Sequence, residues 1–222
     1  MTGQLIFDLP TRENLTRDEF FVAPSNALAL EVVEGWVDWP GRKLVLTGPE
    51  GSGKTHLAHI WAREAGAEIL PAARLATLDL TAIGPAERIA VEDAAGIAAD
   101  PAAEEALFHL HNIVTREGAL LLTAETPPRD WGLRLADLIS RLGAAAVAAL
   151  DPPDEALLSA VLVKLFADRQ IAVPPNLIPY LVSRMPLSIG AARGIVARLD
   201  AHALTLGRPV TRQLAADILE GG

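Results

Sequence analysis

Gly48-Pro49-Glu50-Gly51-Ser52-Gly53-Lys54-Thr55 is the stretch whose reading decides the fold. It fits G-x-x-x-x-G-K-T in full, between an apolar run at Lys43-Leu44-Val45-Leu46 and an amphipathic helical pattern reaching about Ala65. Strand, glycine-rich loop and helix in that order make a phosphate cradle. Glycines let backbone N–H groups turn toward phosphate oxygens with no Cβ in the way. The helix beginning near Lys54 points its positive end at the same anion. Lys54 is expected against the outer phosphates of a nucleotide and the Thr55 hydroxyl on Mg²⁺.

Outward from this loop, short apolar runs alternate with helical patterns. Residues 26–39 have helical spacing, with Ser25 or Asn26 as N-cap, and Pro40-Gly41 interrupts it. Strands are expected at Ala67–Leu70, Arg88–Val91, Ala119–Thr123 and Ala144–Leu150, and helices at 102–117 and about 133–142. Apolar strands separated by helices argue for parallel βαβ units covered on both faces. From Asp154 onward four helices fit, at 154–169, 175–184, 188–206 and 211–220. The expected fold class is therefore α/β, a P-loop domain with a parallel sheet and an all-helical C-terminal lid. Its expected boundaries are 12–151 for the α/β part and 152–222 for the lid, divided at Asp151-Pro152-Pro153.

Two more strand ends carry candidate chemistry. In Ile89-Ala90-Val91-Glu92-Asp93 a carboxylate at a strand tip can reach Mg²⁺ and its neighbour can orient water, so Glu92 is a metal candidate and Asp93 a catalytic one. In Leu121-Leu122-Thr123-Ala124-Glu125, Thr123 or Glu125 can sense a γ-phosphate or hold the water. Arg141 ends a helix and Arg193 lies in the lid; either can bring planar charge to a polyphosphate, one in trans and one in cis.

The 222 residues carry 19 Lys+Arg against 28 Asp+Glu, a formal net charge of -9. A chain so acidic gains little from counterion release, so strong direct DNA binding is not expected. There are no cysteines, which excludes disulfides, thiolate metal sites and a Cys nucleophile. No signal peptide or membrane-length apolar run is present, and a cytoplasmic protein is expected. Residues 1–11 are apolar and precede the first domain element, as either a disordered start or a short docking peptide.

Taken together these pieces resemble the DnaA/Hda family of AAA+ proteins, over essentially the whole chain. Phe21 to Ala29 resembles the family's entry segment, which implies an adenine pocket including Val22. Gly48 to His56 resembles its P-loop, including the His after Thr. Phe108-His109-Leu110-His111-Asn112 resembles the helix after the acidic strand, and Leu122 to Pro128 the sensor-1 strand. Glu92 and Glu125 stand where the family usually has Asp. Leu135 to Leu142 is similar to the arginine-finger segment, which makes Arg141 a finger in trans; Arg193 falls at the sensor-2 position.

The closest likeness is to the family's short Hda-type branch, for two reasons. This sequence ends after the expected lid, and an initiator's DNA-binding domain is not expected. Its start, Gln4-Leu5-Ile6-Phe7-Asp8-Leu9-Pro10, looks like a sliding-clamp-binding peptide in residues 1–11. Gln4 would hydrogen-bond at a pocket rim while Leu5, Phe7 and Leu9, followed by Pro10, fill an apolar groove. The resemblance implies a negative regulator of replication initiation, with ADP or ATP and Mg²⁺ as cofactors. Its implied partners are DnaA, the DNA polymerase III β clamp and possible second copies of itself. It would stimulate hydrolysis on DnaA, its own turnover being weak or absent. The alternative is a helicase-loader-like replication ATPase, for which a helicase-binding domain and a basic or aromatic DNA surface are wanting.

Overall fold

A computed structural model describes residues 15–220. The clamp-peptide residues Gln4, Leu5, Phe7, Leu9 and Pro10 lie outside them. Five strands form one sheet: β1 (Lys43–Thr47), β2 (Glu68–Pro71), β3 (Arg88–Glu92), β4 (Ala119–Ala124) and β5 (Ala146–Ala149). Their order is β2-β3-β4-β1-β5 and every pairing is parallel. The strands read as near-continuous Leu, Val and Ala because both faces are covered, and all five residues of β1 are buried.

Side-chain alternation divides the core in two. Leu44, Leu46, Ala90 and Leu121 point to the face covered by α1 (Ala27–Glu34) and α2 (Lys54–Ala65). Val45, Ile89, Val91, Leu120 and Leu122 point to the other face, under α3 (Pro101–Val114) and α4 (Ala136–Gly143). Few aromatics serve this core, but three cluster: Trp61 of α2 stacks on Trp39 at 5.3 Å and meets Trp36 edge-on at 6.5 Å.

Four helices follow: α5 (Glu155–Asp168), α6 (Leu177–Val182), α7 (Ile189–Leu206) and α8 (Arg212–Glu220). They enclose their own core, with Leu158, Leu162, Phe166, Leu181, Val196 and Leu199 at its centre. Among the described residues no strand follows β5. The starts of three helices are capped as their sequences require. Asp100 accepts from Ala102 N and Ala103 N, Asp154 from Leu157 N, and Ser188 from Ala191 N.

The expected helix over 26–39 is shorter than its periodicity suggested. It stops at Gly35, and Trp36–Asp38 is a single 3₁₀ turn. Asn26 occupies the N-cap position but its side chain does not cap. Instead it accepts from Ala23 N and donates to Phe21 O, both at 2.9 Å, and so pins the segment entering α1.

Candidate nucleotide site

Strand order reverses around β1, which has β4 on one side and β5 on the other. A crevice therefore opens at the carboxyl ends of these strands, the usual ligand position in open α/β sheets. The loop after β1 fills it. Gly48, Gly51 and Gly53 have φ of 153°, 72° and 107°. A Cβ on Gly48 would stand 2.6 Å from Leu150 O, and one on Gly51 would stand 2.0 Å from Ser188 Oγ. At Gly48 and Gly51 the loop thus has room for backbone only, and its outer turn touches the start of α7, where Ile189 N donates to Gly51 O at 3.0 Å.

Lys54 is buried and its ammonium donates back into the loop, to Gly48 O at 2.7 Å and Pro49 O at 2.9 Å. Burial pushes its pKa below the usual lysine value, while Glu125, Asp93 and Glu50 oppose that shift. Those three carboxylates, from three loops, put Lys54 at the centre of the site's electrostatics. Pro49, Glu50 and Thr55 are exposed, and the Ser52 hydroxyl is buried without a partner. Glu92 is half-buried, and its Oε1 likewise lacks a partner. Two orphaned oxygens beside a backbone cradle fit a polyphosphate with its cation. Among the described residues, no group of three or more His, Asp or Glu side chains forms a metal site by itself.

The sensor strand divides the two roles left open between Thr123 and Glu125. Thr123 is buried, and its hydroxyl accepts from Asp93 N at 3.1 Å, which holds the acidic tip of β3 to β4. Asp93 adopts a left-handed φ of 54° there and leaves its carboxylate exposed. Glu125 is exposed, and its carbonyl accepts from Gly48 N at 3.3 Å.

A cavity of about 530 Å³ adjoins the loop, within the usual range for a small-molecule pocket. Its wall includes Leu15 and Phe21 from the entry segment, His56 from α2, Lys164 from α5, and Ile189 and Arg193 from α7. His56 and Arg193, both singled out in the sequence, meet here. Val22 does not line the cavity; it is exposed and its neighbour Phe21 faces in. His56 Nε2 donates to Thr16 O at 2.9 Å, and its ring meets Phe20 edge-on at 5.1 Å. Burial lowers the His56 pKa, Thr16 O opposes that shift, and the charge of Arg193 lowers it further.

Sequence reading missed the ion pairs at this cavity, where Lys164 bridges Glu19 at 3.2 Å and Asp168 at 2.8 Å. The i,i+4 spacing of Lys164 and Asp168 was visible, but Glu19 is remote in sequence. Arg141 is elsewhere. It is exposed near the end of α4, at the amino ends of the strands, and no hydrogen bond or ion pair holds it among the described residues.

With the site described, its relatives can be placed. The chain is 26% identical to the chromosomal replication initiator protein DnaA of Thermomicrobium roseum, over 93% of its own length and 50% of that protein's. The chain is homologous to DnaA. It spans about half the length of the curated DnaA relatives it matches. Domain III of DnaA from Thermotoga maritima superposes with a TM-score of 0.77 at 20% identity, covering 95% of this chain and 97% of that one. A DnaA bound to AMPPCP and single-stranded DNA gives 0.69 at 17% identity, covering 85% of this chain and 64% of that one. The fold is that of the DnaA AAA+ domain, and the sheet with its helical C-terminal part matches the expectation from sequence. No family model matches the chain. Among the described residues no helix is long and apolar enough to cross a membrane.

Proposed function

We propose that this chain is an Hda-type regulator that switches off DnaA by completing its ATPase site. The observation that carries this reading is the place of Arg141. It stands exposed at the end of the sheet opposite the P-loop, with no described partner, in a fold shared with DnaA. An arginine there is remote from its own nucleotide and free to enter a neighbour's. Inserted at the γ-phosphate of ATP on DnaA, it would stabilise charge that develops in hydrolysis, an effect of roughly 10³–10⁵ in rate for fingers supplied in trans.

In this reading the chain's own site holds ADP or ATP through Gly48 to His56 and Arg193, with the Phe21–Val22 segment, Phe21 facing in, beside the base. Thr55 and Glu92 hold Mg²⁺, and Asp93 and Glu125 face the outer phosphate. Supporting it are the backbone-only cradle and the orphaned Ser52 and Glu92 oxygens, together with the AMPPCP carried by a DnaA of the same fold. Glu92 and Glu125 in place of shorter carboxylates leave its own turnover slow, so the nucleotide acts as a structural ligand. Gln4, Leu5, Phe7, Leu9 and Pro10 bind the sliding clamp and deliver the protein, in the cytoplasm, to replicated DNA it does not itself grip. Division into a peptide (1–11), an α/β unit (12–151) and a lid (152–222) belongs to the same reading, as does a resting homodimer.

The test is ATP hydrolysis on purified DnaA with DNA-loaded clamp. Wild type accelerates turnover, Arg141→Ala does not, and Gln4→Ala does so only at high protein concentration. Equal acceleration by all three, or by none, defeats the proposal.

A further inference from the structure

Beneath Arg141 lies a feature that nucleotide binding does not use. Lys43, the first residue of β1, is 7% exposed, and His111 of α3 is 4% exposed. Lysine is almost never buried unless paired with a carboxylate. Here the Lys43 ammonium meets only an imidazole, His111 Nε2, at 3.2 Å. The other ring nitrogen, Nδ1, lies 3.3 Å from Asn112 Oδ1, an acceptor. The ring proton therefore sits on Nδ1, and the Nε2 lone pair accepts a hydrogen bond from the Lys43 ammonium. Among the described residues no carboxylate lies within ion-pair distance of Lys43.

The sheet brings Arg141 to the same end. Leu44 pairs with Ala146 in the β1–β5 register, and α4 ends at Gly143 just before that strand. Arg141 and Lys43 are thus brought to the same end of the sheet, at the amino end of β1. The pKa of Lys43 is lowered by burial and then by the Arg141 charge; that of His111 is lowered by burial, by Lys43 and by Arg141. Two cations stand together, without a described counter-ion, in a chain of net charge -9.

We propose that Lys43 is a positioning residue for Arg141: a buried second cation that keeps the guanidinium clear of the protein surface and strengthens its pull on a partner's phosphate. Folding back would bring Arg141 against a like charge in a low-dielectric setting, whereas an incoming polyphosphate is attracted by both. His111 anchors the ammonium while itself remaining neutral. The alternative is that Lys43 and His111 only key β1 to α3. The proposal rests on the finger reading solely for the identity of the phosphate.

Tripolyphosphate is a suitable probe, with the P-loop site first saturated with ADP, and the Arg141 Nε–H resonance followed by NMR. Wild type is expected to show a saturable shift. Lys43→Met, which keeps the stem and removes the charge, weakens tripolyphosphate affinity roughly 3–10-fold, and the loss shrinks with added salt. Lys43→Arg restores affinity, and Lys43→Gln repeats the loss if the methionine variant is poorly folded; ADP affinity stays unchanged in each. An Arg141 signal indifferent to tripolyphosphate overturns the proposal, as does equal affinity in wild type and both neutral variants. Wild type that binds tripolyphosphate at Arg141 but leaves DnaA turnover unchanged would sink the regulator reading and leave this inference standing.

Discussion

Gly51→Ala is the sharpest probe of how the nucleotide loop and the helical part are joined. Gly51 has a φ of 72°, and an added Cβ would lie 2.0 Å from Ser188 Oγ, 3.0 Å from Ser188 Cβ and 3.1 Å from Gly190 N. A left-handed alanine costs about 1–2 kcal/mol. The start of α7 must retreat, which sacrifices the Ile189 N to Gly51 O bond, worth about 1 kcal/mol, and weakens the Ser188 cap, worth about 0.5–2 kcal/mol. A stiffer unfolded chain returns about 0.4–1 kcal/mol. The expected net loss is about 2–3 kcal/mol in urea unfolding, with weaker ADP binding in parallel. Because the hardest clash is with a hydroxyl, the loss should shrink by about 1 kcal/mol when Gly51→Ala is made in a Ser188→Ala background. A cost under about 0.5 kcal/mol, or an equal cost in both backgrounds, refutes the claim that loop and lid touch through this pair.

Three other outcomes follow from the same geometry. Phe20→Ala removes a buried ring packed on His56 and should cost about 3–5 kcal/mol in urea unfolding, with faster tryptic cleavage at Arg17. Glu104→Ala removes the acceptor of Arg134 N and Leu135 N at the entry to α4. Leaving those N–H groups unpaired should cost about 2–3 kcal/mol and lower the response to Arg141-dependent assays, ADP affinity being the control. His56 and His111 both have lowered folded pKa values, so the unfolded chain binds more protons just below pH 6.5. Their contribution is full above the unfolded value and is lost as pH falls below it. Urea midpoints should therefore drop between about pH 7 and 5, and His111→Gln should flatten that drop; an unchanged slope contradicts the assignment.

Much of this was legible in advance where one local pattern sufficed. The glycine spacing placed the loop and apolar runs placed five strands, whereas the caps Asp100, Asp154 and Ser188 were not read in advance and Asn26, one of the two named, does not cap. The length of α1 was misjudged because periodicity continued past Gly35, where the backbone turns. Thr123 and Glu125 were indistinguishable in sequence because burial, set by neighbouring strands, decides that one holds Asp93 in place and the other faces solvent. Lys43 and His111 gave no signal at all. A lysine before a strand and a histidine inside a helix are commonplace alone, and only the register between them makes a buried pair.

Under the proposed function, the placement of the cavity lets a nucleotide matter without being turned over. Its wall is assembled from four separate stretches: the entry segment through Leu15 and Phe21, α2 through His56, α5 through Lys164, and α7 through Ile189 and Arg193. α5 and α7 share the lid's own core, and polar links join the entry segment to α5 (Lys164 to Glu19) and to α2 (His56 to Thr16). A ligand touching all four adds its binding free energy to the association of the entry segment, α2 and the lid, about 2.7 kcal/mol when present at a hundred times its Kd. Hydrolysis would change only the outer phosphate, beside Lys54 and the acidic strand tips, and leave that cavity filled. In that reading occupancy fixes the entry segment and the lid together, while Arg141, exposed at the far end of the sheet, is left to another molecule.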